Sequence, residues 1–324
     1  MSLIDIYKKQ GGLKLIKQYV KSGSLGTAIG EFILLGHSRT ALEILRLSTQ
    51  LKVKTKLEKK YKKKLKKFDM TYDNQLEHVS SNKVWVCWFQ GIEQAPLLVR
   101  KCYESVKKNL INKDVILITA ENIRKYVDFP EYILKKWENG EITHTHMTDL
   151  LRLELLIKYG GMWIDATVFC TEKEEDIPKY FFDSDLFFYQ SLKPGRDGHC
   201  SYISSWLMSA KTNNKVLMAT RYLCYEYWKE NNDMMDYFLL HDFMSIVLEY
   251  YPNEWNHIVP RDNATPHILL LRLFERYDSV VWEAIKKQTP FHKLSYKASD
   301  EKFKIKDSYY DVILKGEKDY ESIS

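Results

Sequence analysis

Three ionisable residues in the middle of the chain have the types and the spacing for chemistry. Asp149 and Arg152 stand three apart in TDLLR, and Asp165 follows sixteen residues after Asp149 inside the apolar run YGGMWIDATVF, 159–169. Residues three apart share a helix face, and one reading of Asp149 and Arg152 is an ordinary surface pair of roughly 0.3–0.5 kcal/mol. Asp165 is harder to dismiss. Ile164 precedes it and Ala166, Thr167, Val168 and Phe169 follow, and a carboxylate buried there is costly unless it is paired, hydrogen-bonded or bound to a cation. Two carboxylates near one cleft suit a hydroxyl-rich ligand or a divalent cation, and an arginine suits phosphate or sugar oxygens.

The elements around these residues must bring them together. THMTDLLRLELLIKYGG, 145–161, is the most strongly patterned helix of the chain, with Leu150, Leu153 and Ile157 on an apolar face. Thr145 or Thr148 is its expected cap, and Gly160 its left-handed C-terminal residue. A tight Gly160–Gly161 turn then leads into a strand, the remainder of the 159–169 run, that carries Asp165 toward its C-terminal half. Further strands are expected at 83–89 (KVWVCWF), 114–119, 185–191 and 204–210. Helices are expected at 95–110 with Pro96 in the first turn, at 121–127, at 130–138 opened by Pro130 and ended near Gly140, and through most of 214–285. Strand–helix alternation predicts an α/β fold, a mainly parallel sheet covered on both faces. In such sheets ligands gather beyond the C-terminal ends of the strands.

The composition, 45% hydrophobic and 14% aromatic over 324 residues, rules out wholesale disorder and suffices for one large α/β domain with additions. We expect a helical, Lys-rich extension over 1–70 and the α/β domain over 80–324. Five cysteines in no C-x-x-C pair point to neither a disulfide framework nor a zinc site, hence to a reducing compartment. The first twenty residues carry Asp5 and lysines where a signal peptide needs an apolar core. LGTAIGEFILLG, 25–36, contains Glu31 and falls short of the roughly 20 residues of a membrane span. A cytoplasmic protein is expected.

The charge is local. Residues 51–68 hold ten lysines and one glutamate, a local +9 in a chain whose total is +6, which leaves −3 for the rest. Leu57, Tyr61, Leu65 and Phe68 recur there at helical spacing, so the segment is expected to be a helix with a narrow apolar seam. Two readings stay open: attachment to an anionic membrane surface at the inner face of the cell membrane, or a solvated face on a helix packed by its seam. Nucleic acid is not an expected partner, because no reading motif accompanies the lysines.

TDLLR and YGGMWID together look like the core of the D-x-D sugar transferases of glycosyltransferase family 32. More closely, KVWVCWFQGIEQAPLLVRKCYESVKKN, HTHMTDLLRLELLIKYGGMWIDATVFCT and NATPHIL resemble bacterial capsular polysaccharide synthesis proteins, over about 83–270. The resemblance implies the GT-A type of α/β fold, with a Rossmann-like central sheet. It also implies a nucleotide-diphosphate sugar donor, a UDP-sugar above others, and an oligosaccharide acceptor, lipid-linked in such systems. Transfer would retain anomeric configuration. Asp149 and Arg152 match residues that contact the donor sugar and its phosphates. Asp165 matches the first Asp of the motif, at the ribose, sugar and metal, and Trp163 an aromatic position of the same motif. Trp88, followed by Gln90, matches an aromatic against the nucleotide base; its bland alternative is a core tryptophan.

One departure matters. The resemblance implies a divalent cofactor, Mn²⁺ or Mg²⁺, yet the second Asp of D-x-D is Thr167 here. A neutral hydroxyl is a poor ligand for a hard cation. Asp165 carrying the metal alone, weaker binding, and a metal-free enzyme with Lys or Arg neutralising the diphosphate all stay open. His241, Asp242, Asn263 and His267 are candidates for a missing metal or phosphate ligand or an acceptor-side base, and each histidine also has a structural reading as a hydrogen-bonded, half-buried residue. The rival reading of the whole chain is a degenerate transferase that serves as a scaffold or acceptor-binding subunit.

Overall fold

The computed structural model describes residues 13–191 and 203–316. Four helices open it: α1 (Leu13–Ser22), α2 (Leu25–Leu35), α3 (Arg39–Tyr61) and α4 (Lys64–Thr71). Then come β1 (Lys83–Cys87), α5 (Leu97–Asn109), β2 (Asp114–Ile118), α6 (Ile123–Tyr126), α7 (Glu131–Glu138) and α8 (His144–Tyr159). The middle holds β3 (Gly161–Ile164), β4 (Val168–Cys170), α9 (Tyr180–Asp183), β5 (Leu186–Gln190) and β6 (Ile203–Ala210). The last part is α10 (Lys215–Glu230), α11 (Leu239–Tyr250), α12 (Pro252–Asn256), α13 (Ile268–Arg272), α14 (Ser279–Lys286) and β7 (Phe291–Lys293). The expected helical start holds from Leu13 onward, while residues 1–12 and Cys200 lie outside the described residues.

The chain divides into two compact units. One combines the described residues up to Gln75 with Phe129–Leu150 and Lys215–Asn256. The other combines Leu76–Asp128, Leu151–Asn214 and the described residues from His257. The first helices therefore do not form an extension by themselves, and the boundary expected between 70 and 80 is one of several. The seam explains why. Leu57, Tyr61, Leu65 and Phe68 are all buried, and Tyr61 meets Phe243 edge-on at 5.3 Å and Tyr227 at 5.9 Å. Its lysines are half committed: Lys54 pairs with Glu249, Lys60 with Glu230, Lys62 with Glu58 and Lys64 with Glu226 and Glu230. Lys52, Lys59, Lys63, Lys66 and Lys67 have no ion-pair partner among the described residues. On α2, Ile33 and Leu34 are 75% and 82% exposed. No described helix is long and apolar enough to cross a membrane.

The second unit holds the α/β architecture. Its five-stranded sheet has the order β2–β1–β3–β6–β5. β1 pairs in parallel with β2 and β3, and β6 runs antiparallel to both β3 and β5, so the sheet is mostly parallel with one reversed strand. Alternation sorts its faces. Val84, Val86, Met162, Ile164 and Leu207 join Val99 and Val106 of α5 in one core. Trp85 points the other way, against Tyr126 and Tyr159, and its indole N–H donates to the Gly160 carbonyl at 3.0 Å.

The strand expected to run unbroken from the Gly160–Gly161 turn to the end of the 159–169 run is broken at its acid. β3 ends at Ile164, the Asp165 N–H makes a last bond to the Trp206 carbonyl at 2.8 Å, and Val168 N–H closes a turn on the Asp165 carbonyl at 3.0 Å. β4 then pairs with β7 in a separate two-stranded sheet. A mid-sheet position would leave the carboxylate buried without partners, whereas the turn delivers it to the sheet's end, where cations reach it.

The entry into β3 is equally constrained. Gly160 and Gly161 have φ of +66° and +90°, and a Cβ on Gly161 would lie 2.2 Å from the Lys83 carbonyl oxygen. Gly161→Ala is therefore expected to lose about 3 kcal/mol or more of stability, from left-handed strain and the backbone clash together. Gly140 has φ +75° but open space around an added Cβ, so Gly140→Ala should cost about 1–2 kcal/mol. Denaturant unfolding compares the two, and equal losses would show that the Lys83 contact is not what requires Gly161.

Candidate active site

Five side chains of the second unit converge at the end of β3. Arg152, in the second half of α8, is 3% exposed. Its Nη2 lies 3.4 Å from Asp165 Oδ1, and its guanidinium stacks 4.8 Å above the Trp163 ring. The Trp163 indole N–H donates to the same Asp165 Oδ1 at 2.9 Å. On the other oxygen, Lys293 Nζ donates to Asp165 Oδ2 at 2.7 Å, and also to Thr167 Oγ1 at 2.7 Å. Burial opposes ionisation of Asp165, but the Lys293 ammonium, the Arg152 guanidinium and the bonds from Lys293 and Trp163 outweigh it, and the carboxyl is held below its ordinary range. Beneath it, burial pushes the Cys87 thiol up to about 12, with the Asp165 charge adding to the effect.

Backbone pairing places Lys293. In the β4–β7 ladder Val168 stands opposite Lys293, and the Leu294 N–H bonds the Thr167 carbonyl at 2.9 Å. Sequence reasoning missed this residue. Lys293 lies 128 residues from Asp165, in the short run FHKL, and nothing local distinguishes it from the other lysines. The structure also answers for Thr167, whose hydroxyl receives a lysine where the resemblance implies a metal.

Asn263 and His267 are brought to the same region. The Trp206 indole N–H donates to Asn263 Oδ1 at 2.7 Å, while the Trp206 carbonyl takes the Asp165 N–H. Tyr189 stacks on Trp206 at 4.6 Å, and His267 stands edge-on to it at 6.0 Å. His267 Nδ1 is 2.7 Å from the Asn263 carbonyl oxygen, so the neutral ring carries its proton there and leaves Nε2 as an acceptor. Burial lowers its pKa, the Asn263 carbonyl opposes this, and Lys293 lowers it further. Trp88, just past β1, is partly buried and meets Tyr296 edge-on at 5.6 Å. Its indole N–H is buried without a hydrogen-bond partner among the described residues. Gln90 is exposed.

Asp149, His241 and Asp242 belong to the first unit. α8 opens at His144, with Thr143 rather than Thr145 or Thr148 accepting a helix N–H, from His146 at 3.2 Å. Asp149 is buried, 3.4 Å from His146 Nδ1, and the Trp228 indole donates to His146 Nε2 at 3.0 Å. Asp242 is buried on α11. Burial raises its pKa well above the carboxylate range and Asp236 adds to this, against Lys54. His241 stands edge-on to Phe238 at 5.3 Å.

The donor set around Asp165 does not fit a divalent cation. One carboxylate is present, its oxygens already receive three donors, two of them on cationic groups, and Thr167 offers only an engaged neutral hydroxyl. Among the described residues no three His, Cys, Asp or Glu side chains converge as a metal would require.

Comparison with known proteins assigns this arrangement to a family. The family described as capsular polysaccharide synthesis protein matches residues 38–313, which include β1, α8, β3 and β7. The chain belongs to that family. Of this family member's relatives, O-glycosyltransferase braB of Annulohypoxylon truncatum is 33% identical over 114 residues, 30% of this chain and 25% of its own length. O-glycosyltransferase PaGT of Phomopsis amygdali is 25% identical over 154 residues, 41% of this chain and 35% of its own. This family member thus spans only a quarter to about a third of the length of these two curated relatives. Among solved structures, PaToxG glycosyltransferase superposes with a TM-score of 0.36 at 14% identity, over 80% of this chain and 95% of its own.

The anchor of the site should be pH-sensitive through its neighbour. His292, beside Lys293 on β7, is fully buried, with Nε2 3.3 Å from Thr171 Oγ1, and burial pushes its pKa down from 6.5 to about 4. Between those values the unfolded state binds more protons, so stability is lost as pH falls through that window. The denaturant midpoint is expected to fall between about pH 7 and pH 4.5, and His292→Gln to flatten that fall. Parallel profiles for wild type and variant would assign the loss to other groups.

Proposed function

We propose that this family member is a glycosyltransferase that moves a sugar from a nucleoside-diphosphate donor, a uridine nucleotide above others, to a hydroxyl of a growing capsular polysaccharide or exopolysaccharide. The observation that carries the reading is the Asp165 carboxylate, held ionised by Arg152 and Lys293 at the end of a strand, with Trp163 fixing its orientation. Such a carboxylate accepts from sugar or ribose hydroxyls, and the flanking cations stabilise charge developing on a leaving diphosphate. Trp88 and Tyr296, edge-on to each other at 5.6 Å, supply an aromatic wall for a base. His267 Nε2 is an acceptor on the side of Asn263. The relatives named O-glycosyltransferase support the reaction class. The family resemblance adds retention of anomeric configuration and a lipid-linked acceptor to the proposal.

Calorimetry with a panel of UDP- and GDP-sugars is expected to select one donor, with Kd below about 1 mM. Asp165→Asn should lower turnover about 100-fold or more while leaving the melting temperature within a few degrees. If no nucleotide sugar binds, or if the variant unfolds, Asp165 is a structural acid and the reading is abandoned.

A lipid-linked acceptor requires proximity to a membrane, and we propose that the protein attaches peripherally to the cytoplasmic face of an anionic bilayer through the lysines of the 51–68 segment that lack ion pairs among the described residues. Each lysine near such a surface contributes about 1 kcal/mol. Replacing Lys59, Lys63, Lys66 and Lys67 by Gln is expected to reduce sedimentation with phosphatidylserine vesicles by about 1000-fold in partition constant. Unchanged sedimentation would return these residues to a solvated face.

A further inference from the structure

Lys293 and Thr167 together explain each other. Were Thr167 merely a lost ligand, its hydroxyl would face solvent or a water. Instead it accepts from the same ammonium that pairs with Asp165, at the same 2.7 Å. An ammonium has three N–H donors. Two are spent on Asp165 and Thr167, and the Lys293 side chain retains 18% of its surface, so the third can meet a ligand. A compact, strongly charged ammonium on a restrained stem suits a phosphate oxygen.

The charge count agrees. Asp165 receives two cations, Arg152 and Lys293, and the ammonium's remaining donor suits a diphosphate oxygen. Adding a divalent ion would gather four positive charges around a single carboxylate. A carboxylate in place of Thr167 would take up the Lys293 charge and leave none for the ligand, so a neutral residue at 167 is what keeps the ammonium available.

Resting on the transferase reading above, we infer that Lys293 takes the place of the divalent cation, and that this protein binds its nucleoside-diphosphate donor without a metal. In the transfer step the bond between the anomeric carbon and the diphosphate oxygen breaks with its electron pair passing to that oxygen. The acceptor oxygen forms the new bond to the anomeric carbon, and its proton passes to the departing diphosphate. Lys293 and Arg152 stabilise the charge that develops on the leaving oxygen.

The probes are uridine diphosphate, uridine and Mn²⁺, and the protein is the full chain dialysed against chelator. Uridine diphosphate is expected to bind with a Kd that changes less than about twofold between excess EDTA and Mn²⁺; a gain of about tenfold or more with Mn²⁺ overturns the inference. Lys293→Gln should weaken uridine diphosphate about tenfold or more while leaving uridine unchanged, and Lys293→Arg should recover part of the loss. Equal losses for both ligands would make Lys293 structural. Water-proton relaxation reads the metal directly, without nucleotide. Wild type is expected to show no Mn²⁺ site that Asp165→Asn removes, whereas Thr167→Asp combined with Lys293→Ala should create one. Such a site in wild type overturns the inference while sparing the transferase reading. Failure of every nucleoside diphosphate to bind in either buffer overturns that reading, and this inference with it.

Discussion

A carboxylate at the end of β3 has to stay charged beside Ile164, Val168 and Leu207, and donors from three parts of the chain make that possible. Trp163, two residues earlier, fixes one oxygen; Arg152 reaches the same oxygen from α8; Lys293 takes the other from β7. The energetic demand is severe because an unpaired charge in an apolar setting is among the most costly groups a fold can contain. Much of the second unit can be read as the scaffold that meets it. Gly160 and Gly161 turn α8 directly into β3, Trp206 closes the last rung beside Asp165, and the small β4–β7 sheet carries the lysine.

This dependence makes the two-stranded sheet more than an appendage. Its three paired residues on each side set where Lys293 stands, and a slip of one residue would turn the ammonium to the opposite face. Phe291 anchors the pair in the main core, where it meets Phe181 at 5.4 Å. Packing at one end of β7 thus positions electrostatics at the other. The neutral, buried His292 between them keeps a further charge from competing there.

The first unit tells a different story about charge. Ten lysines within eighteen residues read as a uniform basic stripe, yet the fold pairs several of them with Glu226, Glu230 and Glu249 from later helices. Those acids are far away in sequence. Only the buried seam of Leu57, Tyr61, Leu65 and Phe68, which selects the face that meets α10 and α11, decides which lysines find them.

The amino-acid sequence by itself determined the element types, the mostly parallel α/β sheet and the left-handed glycine after α8, and it singled out Arg152, Asp165 and Trp163, which the fold brings together. All of these follow from short-range patterns: periodicity, turn chemistry and residues within sixteen positions of one another. It also marked Asn263 and His267, through a motif resemblance rather than through periodicity. What only the tertiary structure decided is the break of the strand at Asp165, the bond that holds Asn263 to Trp206, and the partner of Thr167. Each of these depends on contacts between residues distant in the chain. Lys293 is the sharpest case: a lysine is unremarkable in FHKL, and it becomes the counter-charge of the site only when the β4–β7 register sets it within hydrogen-bond reach of Asp165 and Thr167.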